Sequence, residues 1–203
     1  MTKRLFLLIL LVILCTVQVF SQTSAIKAFG KISRPEKWWT ISHIFVALKA
    51  WHITKQVRVT VDSMKINNML DGDSNGGKLD AFRHAYWMAS LSSKIGSRKS
   101  YKLGVAHEKG NRLEFENNQL EDGLLPDSAS CAMDLLNNQI GITIGSQNKL
   151  NLKIKILDEI KNGNLFILRK DKLGNYLDCN GKQIDLSLYK HQWNIPKCIV
   201  KSD

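Results

Sequence analysis

The sequence predicts a mainly α fold, a multi-helix single domain with a small C-terminal β meander, and three observations carry that expectation. Apolar residues recur at helical spacing across residues 33 to 162. Asp80, Arg83, His84 and Trp87 stand at i, i+3, i+4 and i+7 within LDAFRHAYWMASL, which places all four in one stripe of a helix. From Asn164 the texture changes to short β-prone runs separated by turn residues, Gly174-Asn175 and Asn180-Gly181.

The N-terminal end comes first. Residues 1 to 21 read as a secretory signal: Lys3 and Arg4, an apolar run from Leu5 to about Val19, then Val19-Phe20-Ser21 as a cleavage context. The run is shorter than the roughly 18 to 20 residues a membrane span needs, so no transmembrane helix is expected after processing. Export places the protein in the periplasm or outside the cell. Its removal would leave 182 of the 203 residues and lower the formal charge from +11 to +9, since Lys3 and Arg4 go with it. A chain of that size buries one core. A basic exported protein is drawn to anionic envelope lipid or another polyanion, a partner class rather than a reaction. Cys131, Cys179 and Cys198 would remain, an odd number that permits one bridge, expected between Cys179 and Cys198, and one buried thiol.

Helical patterning begins at Ser33, a cap followed by Pro35 in the first turn and by Glu36 three positions on, as in a capping box. Trp38, Ile41, Phe45, Leu48 and Trp51/His52 recur at helical spacing and are expected to face inward, with the helix running on past Thr54 toward Leu70. The DGDSNGG stretch, Asp71 to Gly77, then interrupts the chain. Asp71, Asp73, Asn75 and Gly76 match the opening of a calcium loop, yet the twelfth position is Phe82 where a bidentate Glu belongs. A glycine-rich turn beside the site is the better account.

The helix that follows, Leu79 to Leu91, is apolar on nearly every side except its polar stripe, through Ala81, Phe82, Ala85, Met88 and Ala89. Such a helix is buried all round. Its carboxylate, guanidinium and imidazole are therefore buried too, and need partners or a metal. Gly96 stops it, and Ser97 or Ser100 caps a helix from Tyr101 to about Lys109 that carries His107 and Glu108. Asp127 or Ser128 caps the next, which ends at Gly141 and presents Asp134, Asn137 and Asn138 beside a core face of Met133, Leu136 and Ile140. A last helix, Ser146 to Lys161, turns Leu150, Ile154, Leu157 and Ile160 inward. Residues 164 to 203 form the β-rich appendage.

Three segments, DAFRHAYWMA (80 to 89), LGVAHEKGN (103 to 111) and MDLLNNQIG (133 to 141), preceded by PEKWWTISHIFVALKA (35 to 50), carry a resemblance. Together they resemble a family of uncharacterised bacterial domains, a domain of unknown function found in exported proteins of Bacteroidetes-type bacteria and in toxin-like polyproteins. The resemblance spans roughly residues 33 to 162. It implies a helical domain with Asp80, Arg83, His84, His107, Glu108, Asp134, Asn137 and Asn138 as signature positions, and implies no established reaction.

Read as chemistry, those residues suggest a metal site with Asp80, His84, His107 and Asp134 as ligands, zinc or manganese as the ion, and Glu108, Arg83 and Asn138 as catalytic groups. The expected activity is hydrolysis of a phosphodiester or phospholipid. Two alternatives stand beside it: metal-free acid/base chemistry with a histidine as base and Arg83 holding an anion, and a non-catalytic envelope or interaction domain whose buried polar network fixes helix packing. The chain contains no Ser or Cys nucleophile motif, phosphate-binding glycine loop or nucleic-acid module.

Overall fold

In a computed structural model of the chain, residues 25–120 and 123–203 are described. The expected signal segment, residues 1 to 21, lies outside them. After a helical stretch at 25–31 come α1 (Arg34–Ser42), α2 (Ile44–Ile66), α3 (Lys78–Ile95), α4 (Ser97–Glu116), α5 (Ser128–Gln147) and α6 (Leu152–Lys161). Strands β1 (Phe166–Leu168) and β2 (Ile199–Lys201) pair antiparallel, Ile167 opposite Val200, and a 3₁₀ turn lies between them at Leu186–Tyr189. The protein is mainly α with a small C-terminal sheet. No described helix is long and apolar enough to cross a membrane.

Helix α3 is the centre. Leu79, Ala81, Phe82, Ala85, Met88, Ala89 and Leu91 have no exposed surface, as the apolar composition on every side of the stripe requires. It packs against α2, α4, α5 and α6. Its tightest neighbour is α5, where Gly141 and Gly145 lie against the backbone carbonyls of Ala85 and Ala89 so closely that neither glycine has room for a Cβ. This overturns the reading of Gly141 as a helix end. The glycine lets two backbones approach, and α5 runs on to Gln147.

The first helical stretch also differs from expectation. It is two helices, broken at His43, where the Ser42 hydroxyl donates to Trp39 O (3.0 Å) and His43 Nδ1 lies 3.0 Å from the same carbonyl. Short polar side chains competing for a backbone acceptor interrupt the helical ladder. The buried face is Trp39, Ala50, Ile53, Val57, Val61 and Met64, whereas Trp38, Ile41, Phe45 and Leu48 point to solvent. Similarly, α6 buries Ile156 and Ile160 and exposes Ile154, and Leu150, expected to face inward from the same helix, lies exposed before its start at Leu152. The capping box is present: Ser33 N–H donates to Glu36 Oε2 at 2.9 Å.

The C-terminal appendage is fastened to the helices and to the loop before α3 by contacts that include the following. Asn137 acts as a surrogate strand residue, its amide donating to Phe166 O and its carbonyl accepting from Phe166 N–H, both at 2.9 Å. Lys197 pairs with Asp127, the buried cap of α5 that accepts from Ala129 and Ser130 N–H. Tyr176 donates to Asn75 O at 3.0 Å, and Lys170 pairs with Asp73. Cys179 and Cys198 are bridged, and Cys131, buried on α5, is not part of the bridge. Replacing both bridged cysteines by serine is expected to cost about 3 kcal/mol, because the bridge closes a loop of 19 positions; a denaturant titration of the variant measures it.

Candidate functional site

The loop before α3 is built to present Asp80. Asp71 receives Lys78 N–H (2.5 Å) and Leu79 N–H (3.0 Å), so a residue seven positions upstream caps the helix. Asp73 Oδ1 receives Asn75 N–H (2.9 Å), and Gly76 N–H donates to Asp80 Oδ2 at 2.6 Å. The aspartates that resembled a calcium loop are thus spent on backbone donors. Leu168 N–H in turn donates to Gly76 O at 2.7 Å and its side chain lies over Gly76, whose φ of +89° suits glycine. The sheet therefore braces the loop that holds Asp80.

On α3 the stripe converges as helical geometry requires. Arg83 Nη2 is 2.7 Å from Asp80 Oδ1 and 3.2 Å from His84 Nε2. Asp134 arrives from α5, its Oδ1 at 3.4 Å from His84 Nε2, while Asp80 Oδ1 is 3.6 Å from the same nitrogen. One ligand atom from each of Asp80, His84 and Asp134 lies within 4.8 Å of the other two, and all three residues are buried. Ligands of a tetrahedral zinc are separated by roughly 3.3 Å, as bond lengths of about 2.0–2.1 Å dictate, so the two short spacings are close to those an ion needs. Arg83, which lies between Asp80 and His84, would have to turn aside to admit it.

Burial, followed by the charges of Arg83 and His107, pushes the His84 pKa well below the ordinary imidazole value; Asn138 pulls weakly the other way. His84 is therefore a neutral imidazole at pH 7 with a lone pair to offer. Asn138 is 3 % exposed, and neither end of its carboxamide makes a hydrogen bond of normal geometry. Gly104 on α4 leaves the space that Asn138 occupies, since a Cβ there would stand 3.2 Å from Asn138 Nδ2.

His84 and Arg83 form part of the floor of a cleft of about 660 Å³ between α1–α2 on one side and α3–α4 on the other. Its walls include Trp39, Trp51, Thr54, Trp87 and Asn111, and Trp87 Nε1–H donates to Thr54 Oγ1 at 2.8 Å. His107 faces the cleft beside them, its ring 5.3 Å from Trp87 and 6.0 Å from His84 by centroids. Its Nδ1 is 3.2 Å from Glu36 Oε1. So the structure brings together Asp80, His84 and Asp134, with Arg83 among them, and sets His107 in a second pair with Glu36. Glu108 does not line the cleft; it is buried one turn beyond Gly104 on the α5-facing side of α4, with Oε2 accepting from Asn111 Nδ2 at 3.1 Å. Asn137 belongs to the β1 attachment.

Glu36 is the functional candidate that the sequence reading left as a cap. Burial raises its pKa, but the hydrogen bond and charge of His107 and the bonds from Ser33 outweigh this and hold it down at about 2, from 4.5. A depressed folded-state pKa means that the unfolded chain binds the extra proton. The stability this group contributes is present above pH 4.5 and is lost as pH falls toward 2. Glu36→Gln is expected to flatten stability across that window in an acid titration followed by circular dichroism. The acid loss that begins below pH 6.5, where unfolded chains protonate His84, remains in the variant.

A mainly α domain with a buried Asp-His-Asp cluster, whose His84 lines a cleft, is the class that fold and site define. A family model described as a domain of unknown function (DUF6973) matches residues 37–164, and the chain belongs to that family. Comparison with curated proteins and with solved structures returned no match.

Proposed function

We propose that the cleft is the active site of a metal-dependent hydrolase acting on a phosphodiester or phospholipid, with Asp80, His84 and Asp134 holding one divalent cation. The observation that supports this reading is the convergence of three buried ligand atoms within 4.8 Å of one another, one of them on His84, which lines the cleft. Zinc or manganese bound there would supply Lewis acidity toward a phosphoryl oxygen. The remaining roles fall to the chain itself. Arg83, a quarter exposed, turns from Asp80 toward the cleft and pairs with the substrate's phosphate. His107, held at Nδ1 by Glu36, takes the proton of the attacking water at its other nitrogen and returns it to the leaving oxygen as the P–O bond breaks. Asn138 and Glu108 complete the polar packing behind the ligands.

A second reading has its own observation. The Arg83 guanidinium already lies between Asp80 and His84, where a cation would sit, so the cluster can be a packing device that needs no ion. Turnover separates the two readings. With zinc or manganese, the chain is expected to hydrolyse a chromogenic phosphodiester or phospholipid vesicles. His107→Ala and Glu36→Gln are expected to lose at least about 100-fold, the scale of general acid/base catalysis, while keeping bound metal. Inactivity on the whole panel in a chain that binds metal would reject the hydrolase reading and leave the metal site.

A further inference from the structure

The apolar stripe expected to face the core stands instead on the outside. Phe45 is 100 % exposed, Ile44 68 %, Trp38 66 %, Ile41 57 % and Leu48 49 %, forming a ridge across the bend between α1 and α2. Isolated apolar side chains on a surface are ordinary, but five large exposed ones between residues 38 and 48 are a concentration of apolar surface of the kind that marks an interaction site. The charge around the ridge names the partner. Between residues 25 and 61 there are seven lysines and arginines, of which Lys31 and Arg58 line the cleft, and a single acid, Glu36, which is turned inward to His107. Lys49 and Lys94 border the shallow groove that Phe45 and Leu48 line.

We infer that this ridge seats the protein on an anionic phospholipid membrane, with Trp38, Ile41, Ile44, Phe45 and Leu48 entering the interfacial region and the surrounding lysines meeting the headgroups. Bulky apolar tips flanked by cations are the pattern of interfacial helices, and lysines close to an anionic surface are drawn to it. Nucleic acid would use the cations but leave the aliphatic tips in water. A protein partner would have to supply a complementary acidic rim. Helices α1 and α2 also supply Trp39, Thr40 and Trp51 to the cleft wall, so the ridge stands on the outer side of the same pair. The inference does not depend on the hydrolase reading.

The test is co-sedimentation of the full chain with vesicles of phosphatidylcholine containing about one third phosphatidylglycerol, and with vesicles of phosphatidylcholine alone. Binding is expected to the anionic vesicles and to weaken with salt. The double variant Ile44→Ser/Phe45→Ser should bind at least about tenfold more weakly, from lost apolar burial. Its melting temperature should match the parent, since both side chains are exposed. Lys49→Glu/Lys94→Glu should bind more weakly and with less dependence on salt. Brominated lipid should quench tryptophan emission in the parent and lose much of that effect in Trp38→Phe. Unchanged binding by the Ile44/Phe45 variant, with unquenched Trp38, would assign vesicle binding to residues 1–24 and overturn the inference. So would ridge-dependent self-association or nucleic-acid binding without vesicle binding.

Discussion

Asp80→Ala is expected to abolish metal binding and turnover and to lower stability by about 3 kcal/mol. Asp80 does two jobs with different atoms. Its Oδ2 receives the Gly76 N–H at 2.6 Å, and removing the acceptor leaves a buried donor unsatisfied at a cost of about 1–3 kcal/mol. Its Oδ1 meets Arg83 at 2.7 Å. Breaking a sealed ion pair costs about 3–5 kcal/mol, but Arg83 is a quarter exposed and can turn to solvent, so that part falls short of the full range. Asp80→Asn keeps an acceptor for Gly76 while removing the charge. It is expected to recover most of the stability and none of the metal affinity, and denaturant titration alongside metal analysis of the two variants checks both statements.

Gly141→Val is expected to unfold the domain or cost about 3 kcal/mol or more, beyond the usual range for overpacking. A Cβ at this position would overlap the carbonyl oxygen and Cα of Ala85, backbone atoms that cannot turn aside as a side-chain tip can. Helices α3 and α5 would have to separate, and Asp134 and His84 would separate with them. Gly30 is the control: a Cβ there meets nothing within 4 Å, and Gly30→Ala is expected to be neutral or slightly stabilising in the same melt.

The contrast between those glycines shows what the sequence conveyed. Asp80, Arg83, His84 and Trp87 were legible because a helix buried all round leaves one place for charge, and the spacing says which residues share it. The Cys179–Cys198 bridge and the cap of α5, narrowed to Asp127 or Ser128, were legible from local chemistry. Gly141 was not, since a glycine that ends a helix and one that admits a neighbouring backbone read alike until the partner helix is known. Trp38 and Phe45 were misplaced because α1 and α2 are apolar on two faces, and periodicity cannot tell the face that meets α3 from the one left outside. Glu36 was read for its bond to Ser33 alone. Its second partner, His107, lies 71 positions away, and no local pattern reports so distant a contact.

Like charges held together for a missing cation strain a fold, whereas charges placed for packing support it. Asp134→Asn tests this most directly: thermal melts of parent and variant, each with and without stoichiometric zinc or manganese, with bound metal counted by elemental analysis. The proposed site predicts about one ion per parent chain and a melting temperature that rises with metal, as ligand linkage requires. It also predicts a variant that melts no lower than the metal-free parent and does not respond to metal. A parent that binds no ion, together with a variant that melts well below it, would contradict the metal site and leave Arg83 as the only cation the cluster needs.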